Sequence, residues 1–312
     1  MTWIVEDRRG GSLRLGRGTK CHSTWVATLD LIYSADVQAT TAETMSSPGG
    51  RQYHIGASPG DVARYLLLVG DPERAKLAAD QLTDVRFEHA HRDYHTYTGQ
   101  HQGLALSVMC VGMGAGCMEI AVVELCQIVE RPTMIRAGSA GALAPEVALG
   151  DLVITQGALR MESASLGYVE PGFPAFAHAE AQLALVRAAD ELQVRYHVGV
   201  TATAPGFFGA QGRALPGFPP RDETLLTRLV RQGVKNLEME TSCLLTLAAL
   251  RGFRAGSVCA TFGSRHHDTV LDEAGRARAE ANVIGVGLTA LHHLADMERS
   301  TGARPHWHPG LK

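Results

Sequence analysis

The chain has 312 residues, 45% of them hydrophobic and 20% charged, with a formal net charge of −3. That balance belongs to an ordinary globular protein, long enough to bury one large core. Near-neutral charge argues against nucleic acid or an anionic membrane as the main partner, and no apolar run is long enough to span a bilayer.

Residues 1–50 lack periodicity and close in ATTAETMSSPGG, a turn and coil composition. They read as a disordered arm or an over-extended reading frame, with Met45 as the natural start. The apolar stretch WVATLDLIYSA is a poor signal peptide because Asp30 interrupts it.

From residue 63 an alternation of strands and helices sets in. ARYLLLVG is a buried strand entering GDPERAKLAADQL, a turn and helix. Residues 92–111 read as two strands joined at Gly99–Gly103. MEIAVVELCQIVE is an amphipathic helix, and TMIRAGSAGA a strand entering a glycine loop. DLVITQGALRM (strand), AQLALVRAADELQV (helix), YHVGVTATA (strand) and RDETLLTRLVRQG (helix) follow. NLEME is a short strand, TSCLLTLAALRG a helix stopped by Gly252, and AGSVCATFG a further strand. A long helix from EAGRARAEANVIG closes the pattern. The expected fold is α/β: a single domain over 51–298 with a central mixed β-sheet flanked by helices, then a flexible tail over 299–312.

Six cysteines, Cys21, Cys110, Cys117, Cys126, Cys243 and Cys259, form no C-x-x-C pair and sit mostly in apolar runs. They read as reduced, buried thiols of a cytoplasmic protein.

Ligands in open α/β sheets bind beyond the carboxyl ends of the strands. Those ends read GDPER, GMGAG, RAGSAG, FFGAQGR, EME and FGSR. Arg74 and Arg136, each at a glycine turn, with Ser139, would make a phosphate site; taken singly, each reads as a surface salt bridge. Glu238 and Glu240 flank Met239 at the mouth of an apolar helix. One carboxylate there serves as a helix cap; a pair beside a methionine suits a polyol on an apolar surface. GMGAG lacks the third glycine of a dinucleotide fingerprint, which speaks against a nicotinamide dehydrogenase. HHD at residues 266–268 reads as a polar loop, since no third and fourth metal ligands accompany it.

Together, VGDPER, HRDYHTYTG, IRAGSAGAL, HVGVTATA, FFGAQGR and NLEMETSCLLTLAALRG resemble the nucleoside phosphorylase family, most closely its uridine-cleaving branch. The resemblance runs from about Tyr53 to Leu294. It implies reversible phosphorolysis in nucleoside salvage, with uridine and phosphate giving uracil and ribose 1-phosphate. By similarity Gly70, Arg74, Arg136 and Ser139 hold phosphate, with Arg92 lent by a neighbouring subunit. Met239 and Glu240 seat the ribose, and His54 is lent to the neighbour's ribose. Phe207, Gln211 and Arg213 read the base, Arg265 lies in the flap above it, and Glu238 supports the site. Glu240, Arg213 and Arg265 are the expected catalytic groups. The resemblance implies no metal or organic cofactor, a nucleoside and phosphate as the only ligands, and a hexamer built from dimers. A purine-cleaving enzyme of the same fold and a non-catalytic nucleoside-binding protein are the alternatives. Where close relatives hold a monovalent cation with a glutamate and a serine, this chain has Asp93 and Cys117. The flap sequence FGSRHHD also departs from theirs.

Overall fold

The computed structural model describes Met45, residues 49–304 and residues 306–310. The expectation for residues 1–50 therefore lies almost wholly outside the described residues.

The chain alternates as read. Strand β1 (Tyr65–Val69) leads to helix α1 (Pro72–Ala79). The Asp71 carboxylate accepts the Arg74 N–H at 3.0 Å and Pro72 stands at the first helical position, both start signals. Next come β2 (Thr83–His91), β3 (Tyr94–His101), β4 (Leu104–Cys110), α2 (Ala115–Ile128) and β5 (Thr133–Ala142). Strand β6 (Leu152–Arg160), a short β7 (Ala175–Phe176), α3 (Ala179–Glu191), β8 (Tyr196–Thr203) and α4 (Leu225–Arg231) follow. The chain closes with β9 (Val234–Glu238), α5 (Thr241–Arg251), β10 (Arg254–Ser264), β11 (Thr269–Val270) and α6 (Glu273–Thr301).

All the strands belong to one mixed sheet, ordered β11-β10-β6-β8-β9-β5-β1-β4-β3-β2, with β7 on β6. Strand β10 also pairs with β5 along its whole length, so β5, β10, β6, β8 and β9 close into a ring. The helices cover two faces, and β1 shows why. Leu67 and Val69 pack in one core cluster with residues of α1, α3 and α6; Leu66 and Leu68 pack in another with residues of α2 and α5. Alternate side chains point to opposite faces, so a strand buried on both reads as a continuous apolar run. No helix among the described residues is long and apolar enough to cross a membrane.

Three local expectations change. Strand β2 was not legible, because it is an edge strand with TDVRF largely exposed, and its sequence lacks an apolar stripe. TMIRAGSAGA does not break into a glycine loop; all ten residues are strand, so Arg136 and Ser139 lie within β5 rather than at a turn. The closing helix runs past residue 298 to Thr301, and beyond it Trp307 packs on the core, its N–H 3.2 Å from Glu180. The segment 299–312 is thus not a free tail throughout.

Candidate active site

Strand β5 carries the centre of the site. Its first half pairs with β1, ending at Leu68 opposite Arg136, and its last residues pair with β9, at Gly141 opposite Leu237. Between these pairings β5 has left one neighbour and not yet met the next. Such a split is where α/β sheets bind ligands. The turn that starts at Gly70 after β1 and the EME segment that ends β9 flank it.

Arg136 occupies the split. Its buried guanidinium lies between two carboxylates: Nη2 donates to Glu240 Oε2, and Glu238 Oε2 stands 3.4 Å away. Nη1 donates to Cys259 Sγ at 2.9 Å. The side chain folds back over its own strand, and a Cβ on Gly138 would stand 2.0 Å from Nη1. Residue 138 must therefore be glycine for the arginine to lie as it does.

Burial alone would lower the Arg136 pKa, but the Cys259 thiol and the two carboxylates more than offset it, and the group stays charged. The Glu240 carboxyl is pushed up, by burial first; Arg136 pulls it down and Glu238 pushes it up again. Two carboxylates share one guanidinium, so Arg136 is fully compensated and Glu240 is not. Each Glu240 oxygen already has one donor, Oε2 from Arg136 and Oε1 from the Gly114 N–H, and each can accept more.

The two glutamates divide the cap and the site between them. Glu238 takes the cap: Oε2 accepts the N–H groups of Glu240 and Thr241, both at 2.9 Å, and Oε1 accepts the Thr203 hydroxyl at 2.5 Å. Satisfying such helix-start donors contributes about 1 kcal/mol. Glu240 makes no cap bond and reaches across to the Gly114 N–H at 2.5 Å, at the start of α2. Gly112 and Gly114 have φ of 74° and 95°, so the loop needs glycine at both positions. Met239 is half-buried, its Cε 3.9 Å from where a Cβ on Gly114 would sit. Half-buried Ser139 lies further along β5, opposite Ala260.

A second cluster stands against the end of β5. The Arg265 N–H donates to Ala142 O at 2.8 Å, and its guanidinium donates to Gln211 O at 3.1 Å. Arg213 lies over the Phe207 ring, 3.8 Å from its centroid, and donates to Gln211 Oε1 at 2.6 Å. Neither arginine forms an ion pair with a carboxylate among the described residues. Burial and the neighbouring Arg265 push the Arg213 pKa down to about 10. Gln211 is buried and held in place, while Phe207 is half exposed. This corner presents one aromatic face, one carboxamide and two guanidiniums, of which Arg265 has Asp268 nearby, and it suits a planar ligand that carries or develops negative charge.

The sequence profile of the Phosphorylase superfamily matches residues 64–291. The chain belongs to the phosphorylase superfamily. A uridine phosphorylase of Thermococcus kodakarensis is 42% identical over 278 residues, covering 87% of this chain and 98% of that protein. The uridine phosphorylase of Escherichia coli is 32% identical over 78% of this chain and 97% of its own length. A DeoD-type purine nucleoside phosphorylase of Roseobacter denitrificans is 30% identical over 76% of this chain and 97% of that protein.

Within this superfamily member, His54 and Arg92 form a third group. His54 Nδ1 is 2.7 Å from Glu124 Oε1, and the backbone N–H groups of His54 and Ile55 also bond to the Glu124 carboxylate. The Arg92 guanidinium lies 4.9 Å from the Tyr53 ring centroid. Arg92, Tyr53, Arg51 and His91 line a depression of about 300 Å³. Neither residue is in hydrogen-bond contact with Arg136 or Glu240.

Asp93 and Cys117 both flank Gly112, within 3.7 Å of where its Cβ would sit. Burial first, then Asp93 and Glu240, push the Cys117 thiol pKa up, so its sulfur stays protonated. A protonated thiol is a poor ligand for a hard cation, whereas the Asp93 carboxylate is an ordinary one.

Sequence reading missed three members of the site. Thr203 anchors Glu238, Cys259 contacts Arg136, and Glu280 holds Arg74, its carboxylate 2.7 Å from Arg74 Nε. A hydroxyl just before the strand end, TATA, was a visible signal for the first. The other two are contacts across the fold with no local signature.

Proposed function

We propose that the chain is a uridine phosphorylase, cleaving uridine with phosphate to uracil and ribose 1-phosphate. The observation that carries this is the corner of Phe207, Gln211, Arg213 and Arg265, built against the end of β5, the strand that carries Arg136. Gln211 offers both a donor and an acceptor, as a uracil edge requires. Glycosidic cleavage builds positive charge on the ribose and negative charge on the departing base. Arg213 and Arg265 meet the second charge in advance of the reaction. Glu240 accepts hydrogen bonds from the ribose 2′- and 3′-hydroxyls, and Met239 underlies the sugar. Gly70, Arg74, Arg136 and Ser139 hold the phosphate, whose oxygen attacks C1′ as the bond to the base breaks. No covalent intermediate is required, and no step runs through a cation.

The similarity to relatives named uridine phosphorylases supports the same reading, as does the arginine at 265 in the flap. His54 and Arg92, gathered in a separate group, fit residues lent to a neighbouring subunit, so the working unit is a dimer with each site completed in trans. We extend this to a cytoplasmic hexamer of three dimers serving nucleoside salvage. The test is an absorbance assay of uridine, thymidine, deoxyuridine, inosine and adenosine with and without phosphate. Phosphate-dependent loss of uridine is expected. Turnover of purines alone would overturn the assignment in favour of a purine enzyme, and no phosphate-dependent turnover would favour a nucleoside-binding protein.

A further inference from the structure

We infer that Glu280 is a positioning residue for phosphate, acting through Arg74; the assignment rests on Arg74 being a phosphate ligand, as proposed above. The two residues are 206 positions apart, one in the first turn of α1 and the other in α6. The Glu280 carboxylate takes the Arg74 Nε–H at 2.7 Å, with the arginine side chain only 7% exposed and the glutamate 22%. The Phe262 ring, on β10, lies 5.7 Å from the guanidinium carbon. One edge of a nearly buried guanidinium is thus pinned by a carboxylate, and an aromatic ring stands beside it. The contact recorded uses the Nε donor, which leaves the Nη donors for a ligand.

A free arginine must surrender its rotamers to bind an anion, and a tethered one has already done so. A carboxylate near the site also opposes an anion through its charge. Geometry favours positioning: Glu280 engages Nε–H on the side of the guanidinium, which leaves the end-on edge between the two Nη groups for an anion, and burial of Arg74 without a partner would be costly. Of the guanidiniums assigned to phosphate, Arg136 is held by Glu238 and Glu240 at the end of β9 and by Cys259 of β10, whereas Arg74 is held from the closing helix. The closing helix therefore sets the geometry of the phosphate side without touching substrate.

The test uses the full-length protein and inorganic phosphate. Phosphate Kd by calorimetry and the separate KM values for phosphate and uridine are measured for wild type, Glu280→Ala and Glu280→Gln. Alanine removes the tether; glutamine keeps an acceptor for Nε–H without the charge. Glu280→Ala is expected to raise phosphate Kd and KM about tenfold, leave uridine KM within about twofold, and be largely rescued by glutamine. Tighter or unchanged phosphate binding in the alanine variant would overturn the inference, making Glu280 a charge competitor or a bystander. Equal worsening of both KM values would overturn it too, as a general structural role. Because calorimetry needs no turnover, a wild type that binds phosphate without cleaving uridine would sink the uridine assignment and leave this inference to the Kd comparison.

Discussion

Glu240 and Arg136 form an ion pair 104 residues apart in the chain, at the point where β5 leaves β1. The same carboxylate accepts the Gly114 N–H, so one side chain ties β5, the start of α2 and the end of β9 together. A nucleoside diol must engage Glu240 beside an arginine that is already satisfied by Glu238 and Cys259. Loss of Glu240 therefore opens three elements at once.

Gly138→Ala drives a methyl group into the Arg136 guanidinium. Overpacking of a buried site costs about 1–3 kcal/mol, and the arginine must leave its carboxylates to relieve it. We expect a lower Tm and at least about a hundredfold loss in kcat/KM for phosphate. Near-normal kinetics would show that Arg136 can serve from another rotamer.

Arg213→Gln separates recognition from stability. Burial and Arg265 hold the Arg213 pKa at about 10 in the folded chain. A base whose folded pKa is depressed costs stability while protonated, and that cost fades as pH rises through the folded value. The variant should keep a Tm at or above wild type at pH 7, with the gap beginning to close only as pH rises past about 10. Uridine kcat/KM should fall by about a hundredfold or more. A large drop in Tm at pH 7 would show that the Phe207 and Gln211 contacts outweigh the repulsion.

His101 and His292 supply an acid-side limit. Their ring nitrogens meet at 2.8 Å, and burial, then the partner histidine, depresses His101 below its ordinary value; burial depresses His292 as well. Histidines held neutral contribute stability above the ordinary histidine pKa, which is lost as pH falls through that value toward the folded one. Wild type should lose Tm between pH 7 and pH 5, and His292→Gln should lose less. Identical slopes would place the acid sensitivity elsewhere.

Complementation tests the shared site. Arg92→Ala and Arg136→Ala homo-oligomers should both be nearly inactive. In a mixed dimer one site carries both defects and the other none, so co-expression should restore part of the activity. A purified mixed oligomer without activity, or an active monomer of the wild type, would rule the arrangement out.

The sequence by itself determined the alternation of strands and helices and the residue types of the site. Local periods do this: YLLLV is apolar throughout because β1 is buried on both faces, and Asp71 with Pro72 marks a helix start wherever it occurs. The roles expected of the motif residues come from the family resemblance rather than from local periods, since Arg136 and Ser139 lie within β5 and not at its end. Only the tertiary structure decided which glutamate caps α5, because both lie beside the helix start and the choice depends on Thr203, from β8, and Arg136, from β5. It alone decided that β10 pairs with both β5 and β6 to close a ring, and that Arg74 answers to Glu280. These are pairings between segments far apart in the chain. No local propensity encodes them, because they are selected by the packing of the whole core.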